Sequence, residues 1–441
     1  MYLKQFVSDI LNIDFEQIQE LQNICQSDET IVIKIKLKDK RPLCSYCQSR
    51  PKIKGYYPRT LTHSTFANRP CTLIYQQRRY KCDVCDLTFH EINPFTNSSD
   101  NSTHETKINI LTDLKNPGVT YTLIAERYNV SKSTVLRIFD KHINIERKTL
   151  PRVLSMDEHY FPNSDYDSLY CVLLMNFETG EIVDVIRDRK KAVVTKYFSD
   201  IYAETLDYET HTSELNNVQY LSIDLYDNYR DIARNMLPNA VICADGFHVT
   251  KHLTEDFHDI RMRCYKSTDN ASLKYLLQKF KYIFYHNTKL DGPGKYNRSL
   301  KRYANYRDIM EVLFDNFPEL RIAYDLKEEY LMFNETANTD NAAEKLDRQI
   351  MLFANCGIPE YDEFYRLLRN WRQEIINSFS YADSKRINNS YIESKNRILE
   401  RLISNANGFN NFERTRKRIM YCLNKNDTFM VSVKSDVDLS L

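Results

Sequence analysis

Polar and apolar residues alternate in two stretches early in the chain, ETIVIKIKLK (29–38) and CTLIYQQRRYKC (71–82), the period of half-buried strands. A polar run, NPFTNSSDNSTHETK (93–107), follows and reads as a linker, and residues 108–147 read as short helices. From 152 the pattern changes to three strands, RVLSMDEHYF, SLYCVLLMNF and EIVDVIRD, with ETG as the turn between the last two. A helix over KKAVVTKYFSDIYAE (190–204) comes next, then the apolar run VQYLSI into Asp224, a short helix, and the strand NAVICAD (239–245). Strands and helices in this order predict a mixed α/β sheet. From about 247 to 380 apolar residues recur at helical spacing, which predicts a helical insertion. Two more helices are expected, over about 388–403 and 410–423, the second strongly basic.

Composition bounds the class. The chain has 441 residues, with 42% hydrophobic and 27% charged residues, as in soluble globular proteins of two to four domains. A formal charge of +1 means that any nucleic-acid surface must be a local basic patch. Eight glycines and the absence of GxGxxG or a P-loop disfavour phosphate-cradling architectures. The longest apolar runs, such as LYCVLLM (169–175), are too short to span a bilayer, and the first residues do not read as a signal peptide. Eleven cysteines without such a signal indicate reduced thiols and a cytoplasmic protein.

Four of those cysteines form two CxxC pairs, Cys44/Cys47 and Cys82/Cys85, each next to a strand-like run. This spacing predicts a tetrahedral thiolate site for structural zinc, a zinc ribbon; the bland alternative is free thiols or a redox pair. Arg78, Arg79 and Lys81, leading into the second pair, are positioned to meet phosphates. Further along, TYTLIAERYNVSKSTVLRIFDKHI (120–143) reads as helix, turn with a Ser N-cap, and helix, a helix-turn-helix candidate. The exposed face of its second helix offers Lys132, Ser133, Thr134 and Arg137 for phosphate and base-edge contacts. An ordinary helical hairpin gives the same pattern.

Asp224 closes an apolar strand, and two readings fit it: a helix N-cap, or a metal ligand at the carboxyl edge of a sheet. Asp157 interrupts another apolar strand, and Glu393 lies beside the apolar face of the late helix. Three carboxylates from two strands and a helix suit a pair of divalent ions, with Mg²⁺ or Mn²⁺ the natural choice. Asp245 and His248, spaced D-x-x-H, either assist that site or serve as a cap and a core histidine. Arg397 and Arg401 continue roughly the face of Glu393 and are candidate phosphate clamps.

The order of zinc-ribbon cysteines, helix pair, SMDE, SIDLYDNYR, ICADGFHVTKHL and YIESKNRILERLISNANGFNNFERTRKRI resembles the ISL3 family of bacterial insertion-sequence transposases, over about residues 40–425. The resemblance implies an RNase-H-like catalytic core with a DDE triad, interrupted by an all-helical insertion before the glutamate. Residue by residue, Asp157 and Asp224 fall on the two aspartates and Glu393 on the glutamate. Ser394 stands where the family usually has glycine after that glutamate. The implied domains are an N-terminal region with the zinc ribbon (1–97), a helix-turn-helix domain (108–147), the core (150–250 and 384–425) and the insertion (251–383).

The implied function is a transposase that binds the terminal inverted repeats of its element, hydrolyses a phosphodiester there and joins the freed 3′-hydroxyl to target DNA. Its partners would be double-stranded DNA and further copies of the chain, with no membrane, in a bacterial cytoplasm at the nucleoid. The competing readings are a DNA-binding regulator that has lost catalysis, and a metal-dependent nuclease without strand transfer.

Overall fold

The computed structural model describes residues 2–27, 30–66, 69–97, 100–161, 169–285, 289–406 and 411–431. The GF of the expected family block (Gly408, Phe409) lies outside the described residues. Two compact units are present: one comprises the described residues up to 146 together with those from 397 onward, and the other covers those from 147 through 396.

The first unit opens with α1 (Tyr2–Leu11) and a sheet of β1 (Ile18–Ser27), β2 (Thr30–Leu37), β3 (Lys52–Phe66) and β4 (Arg69–Lys81), with short β5 (Thr88–His90) beside β4. The strand order is β1-β2-β4-β3, and Val7, Ile33, Ile35, Leu61, Leu73 and Tyr75 belong to its core. β3 is an edge strand, which is why it tolerates Pro58, opposite Gln76, and a register shift at Gly55. The polar stretch expected as a linker is instead packed down. Thr62 exchanges backbone hydrogen bonds with Asn101 and Thr103, and Thr96, Ser102 and Thr103 are buried.

Helices α2 (His104–Asp113), α3 (Tyr121–Arg127) and α4 (Lys132–His142) follow. Thr120 and Ser131 cap the last two, each side-chain oxygen accepting a hydrogen bond from the backbone N–H three residues on. Ile124, Ala125, Val135, Ile138 and Phe139 are buried, whereas Leu123 is exposed. The last helix of the chain, described below as α15, packs here through Tyr421, whose ring meets Phe139 and whose hydroxyl donates to Leu111 O.

The second unit contains β6 (Val153–Tyr160), β7 (Tyr170–Asn176), β8 (Ile182–Ile186), α5 (Lys191–Thr205), β9 (Tyr220–Ile223), α6 (Asp227–Met236) and β10 (Val241–Ala244). Its sheet order is β10-β9-β6-β7-β8; β6, β9 and β10 run parallel, and β7 is antiparallel to β6 and β8. Each parallel connection carries a helix, as parallel pairs require. Leu154, Met156, Leu221, Ile223 and Ala244 join the large core with α5, α6 and the later helices. Val153, Phe177 and Cys243 belong to a second cluster with Ala382 and Ile387. Alternation along the strands thus sorts the sheet into one thickly covered face and one thinly covered face.

The stretch from Gly246 to Asn377 is mainly helical: α7 (Gly246–Ser267), α8 (Ala271–Lys279), α9 (Tyr306–Asn316), α10 (Pro318–Thr336), α11 (Ala342–Asn355), α12 (Tyr361–Asn370) and α13 (Arg372–Asn377). The expectation of an all-helical insertion needs one correction. Gly292-Pro293-Gly294 breaks the helical pattern, and a hairpin of β11 (Lys295–Asn297) and β12 (Arg302–Ala304) follows. A second, two-residue hairpin, β13 (Tyr381–Ala382) with β14 (Lys385–Arg386), precedes α14 (Ser390–Ala406) and α15 (Phe412–Leu423).

Candidate active site

Strand register brings three aspartates into one row. Ser155 pairs with Ser222 in the parallel β6–β9 ladder, and Ile223 pairs with Ala244 between β9 and β10. Extending the ladders places Asp157, Asp224 and Asp245 side by side, and Asp245 N donates to Ile223 O at 2.8 Å. Period-two alternation puts all three on the face of Ser155, Ser222 and Cys243, away from the large core. Asp157 is 5% exposed and Asp245 1%.

The N-cap reading of Asp224 fails: Tyr226 holds the cap position of α6, with no side-chain cap hydrogen bond. Asp224 instead lies 3.1 Å from His248 Nε2, through Oδ1. Asp157, Asp224 and His248 present ligand atoms that all lie within 4.8 Å of one another. Burial, then the neighbouring Asp157 charge, pushes the Asp224 carboxyl up to about 9. Burial likewise raises Asp245, to about 6, and lowers His248. Asp245 is a helix cap after all, accepting from Phe247 N at the start of α7, and it also accepts from Asn389 N.

α14 covers this row. Asn389, Glu393 and Asn396 fall at i, i+4 and i+7, one face of a helix. Asn396 Nδ2 donates to Asp157 Oδ2 at 2.6 Å, and Asn389 Nδ2 stands 3.5 Å from Asp224 Oδ1. Glu393 lies outside the 4.8 Å set, but its charge acts on His248. The two asparagines were missed in the sequence; their spacing from Glu393 was the available signal.

A divalent cation fits this donor set. Among the described residues, Ser155 Oγ, Ser222 Oγ, Asp245 Oδ2, Asn389 Oδ1 and Asn396 Oδ1 are buried without a hydrogen-bond partner. Oxygen atoms left so, around carboxylates that repel, are what a hydrated cation would satisfy.

The other sequence candidates divide clearly. Cys44, Cys47, Cys82 and Cys85 gather with all Sγ atoms within 4.8 Å. Their recorded separations of 3.4–3.6 Å approach the ~3.8 Å set by tetrahedral Zn–S bonds of about 2.3 Å. The knuckles match in backbone as well: the residue after each pair, Gln48 (φ 58°) and Asp86 (φ 61°), is left-handed. The Ser49 hydroxyl and the Cys85 amide pull the Cys82 thiol down to about 6, toward the thiolate a cation needs. These four residues fit structural zinc. Arg78, expected to meet phosphate, is 1% exposed and engages Glu91, Gln19 and Leu37 O. Its role is in the sheet.

Lys132, Ser133 and Arg137 are exposed on α4, while Thr134 is half-buried, its hydroxyl 2.9 Å from the capping Ser131 Oγ. Arg397 and Arg401 are exposed on α14. In the basic α15, Arg414 pairs with Asp140, and Arg418, 2% exposed, donates to the Asn116 and Val119 carbonyls, so both act in packing. Among the described residues no helix is long and apolar enough to cross a membrane.

Comparison with known proteins accords with this site. A family described as transposase, of the DDE ISL3 type, matches residues 154–419, and the zinc finger of the transposases of IS204, IS1001, IS1096 and IS1165 matches residues 40–85. The transposase for insertion sequence element IS1557 is 26% identical over 253 residues in each of two Mycobacterium tuberculosis strains, CDC 1551 / Oshkosh and ATCC 25618 / H37Rv. The match covers 54% of this chain and 53% of theirs, so the chain spans about half the length of these curated relatives. With well over half of its residues inside the family match, the chain belongs to the ISL3 family of DDE transposases.

Proposed function

We propose that this chain binds the terminal inverted repeats of its own insertion sequence, cuts a phosphodiester there, and transfers the freed 3′-hydroxyl to target DNA. The observation that carries this reading is the row of aspartates on three adjacent parallel strands, Asp157 within β6 and Asp224 and Asp245 just past the ends of β9 and β10, faced by the helix of Glu393. The strand order β8-β7-β6-β9-β10, with β7 reversed, supports an RNase-H-like core over 150–250 that resumes after the insertion at 251–383 with the start of α14, as far as Asn396, whereas the rest of the expected 384–425 segment belongs to the first unit.

Asp157, Asp224 and Glu393 would hold two Mg²⁺ or Mn²⁺ ions, with His248 and Asp245 as auxiliary groups. Such ions stabilise the attacking and the leaving oxygen at phosphorus. The protein's part is positional. Asn396 fixes the Asp157 carboxylate through one oxygen, Asn389 ties the start of α14 to Asp245, and the strand ends fix the spacing of the acids. In the first step water displaces the 3′-oxygen at the element's end; in the second that 3′-oxygen displaces another in the target.

DNA recognition is assigned to the zinc-ribbon region (1–97) and to a helix-turn-helix over 108–147. Lys132, Ser133, Thr134 and Arg137 lie along the second helix, and Arg397 and Arg401, exposed on α14, would hold phosphates. Pairing of two ends requires a homo-oligomer on the DNA. The test is cleavage and joining of a linear DNA carrying the element's own end, with Mg²⁺ or Mn²⁺. Cut and joined products are expected; tight binding without cutting would turn the reading to a regulator.

The Asp224 carboxyl yields a further expectation. With its value near 9, the cation-free folded chain keeps a proton that the unfolded chain releases near 4, so this group's contribution to stability falls as pH rises between those values. A bound cation replaces that proton. Mn²⁺ should therefore bind more tightly as pH rises from 6 to 8, by up to about tenfold per pH unit, and raise Tm by a larger margin at pH 8. A Tm increase independent of pH would contradict this.

A further inference from the structure

The hairpin 295–304, KYNRSLKRYA, carries Lys295, Arg298, Lys301 and Arg302 and no acid, in a chain whose net charge is only +1. All four cations are exposed, and none has an ion-pair partner among the described residues. Elsewhere in the insertion four arginines are compensated: Arg263 by Glu360, Arg321 by Glu311, Arg348 by Glu329 and Arg372 by Asp347. The acids flanking the hairpin are also spoken for, Asp291 by Arg307 and Asp308 by the cap of α9. Four uncompensated cations thus stand together within residues 295–302.

Its two faces differ. Asn297 and Ala304 are buried, and Asn297 Oδ1 accepts from Ser299 N and Leu300 N to shape the turn. Gly294 eases this seating, since a Cβ there would come 3.3 Å from the Ala304 carbonyl carbon. The other face lifts Tyr296 and Tyr303 into solvent, cross-strand partners at 57% and 74% exposure, with ring centroids 5.6 Å apart. Packing on one side anchors a hairpin that would be marginal alone, and the anchored element displays a pair of tyrosines with Arg298 and Lys301 in the turn next to them, and Lys295 and Arg302 exposed on the strands. Cations that neutralise phosphates beside aromatic faces that stack on bases are the combination that binds unpaired nucleic-acid strands.

We propose that the hairpin 295–304 is a DNA-contacting element, with its four cations on phosphates and Tyr296 and Tyr303 stacked on unpaired bases. The inference rests on the transposase reading only for the identity of the polymer as DNA.

The test uses the full chain and element-end duplexes, either fully paired or with a few unpaired bases near the cut. Replacing Lys295, Arg298, Lys301 and Arg302 together by Ala should flatten the dependence of log K on log salt by about 3 on either DNA. Tyr296→Ala with Tyr303→Ala should keep that slope and weaken binding to the unpaired substrate by roughly 10-fold or more. The corresponding Phe pair should bind as the wild type does. Because these side chains are exposed, Tm should not change. Wild-type binding and cutting with all three variants indistinguishable overturns the hairpin inference and leaves the transposase reading standing. A wild type that neither binds nor cuts element DNA overturns both. Preference for RNA of the same sequence, or for anionic vesicles, over unpaired DNA also overturns it.

Discussion

Asp224→Asn is expected to lower cleavage of the element's end by roughly 10³-fold or more, because a lost cation removes several kcal/mol of charge stabilisation at phosphorus. Binding of the same DNA should persist. The cation-free variant should melt at the same temperature as the wild type or higher, since the amide stands in for a carboxyl that burial and Asp157 already hold in its neutral form. Loss of activity with gain of stability marks a functional site rather than a structural one. Asp157→Asn should behave alike. Asn396→Ala leaves the three acids in place but frees Asp157 Oδ2, so it should reduce the cleavage rate with little change in DNA affinity. Single-turnover kinetics beside binding isotherms and thermal melts separate these effects. A variant that unfolds, or loses DNA binding together with cleavage, would assign Asp224 to architecture.

Cys82→Ser has the second large expected effect. Its Sγ sits 3.4 Å from that of Cys47 in the four-thiol group, and structural zinc in small fingers contributes about 10–16 kcal/mol of apparent binding energy at neutral pH. Metal analysis should find one zinc per wild-type chain and none in the variant. The damage should stay local. The sheet core of Ile35, Leu61, Leu73 and Tyr75 does not depend on the thiols, so proteolysis should open near 40–50 and 82–88 and spare the strands. Recognition of the element's end should weaken by at least about tenfold, while the aspartate row remains intact. Full zinc content in the serine variant would show that the four cysteines do not act together.

Some of this was legible in one dimension. An acid that interrupts or closes an apolar run marked Asp157 and Asp224, and doubled CxxC marked four thiols; the fold brings the members of each set together. Other features depend on partners far away in sequence. Asn396 reaches Asp157 across 239 positions, and an amide on a helix has no pattern that separates it from a solvated one. Arg78 looked like a phosphate contact because Glu91 and Gln19, which hold it in the sheet, come together only in the fold. Strand β3 escaped notice because Gly55 and Pro58 read as breakers, while its edge position makes both tolerable. The hairpin of Tyr296 and Tyr303 was hidden in a helical stretch for the opposite reason: three residues of turn chemistry at 292–294 are brief beside the helices around them.

The most direct test of cation-dependent catalysis by the aspartate row is a change of metal preference. In Asp224→Cys a thiolate replaces a hard oxygen ligand, and thiolates favour softer ions over Mg²⁺. Cleavage of the element's end by this variant should be lost in Mg²⁺ and recovered at least in part in Mn²⁺, while the wild type works in both. A folded, DNA-bound variant that is equally inactive in both metals, or equally active in both, would contradict the assignment of Asp224 as a ligand.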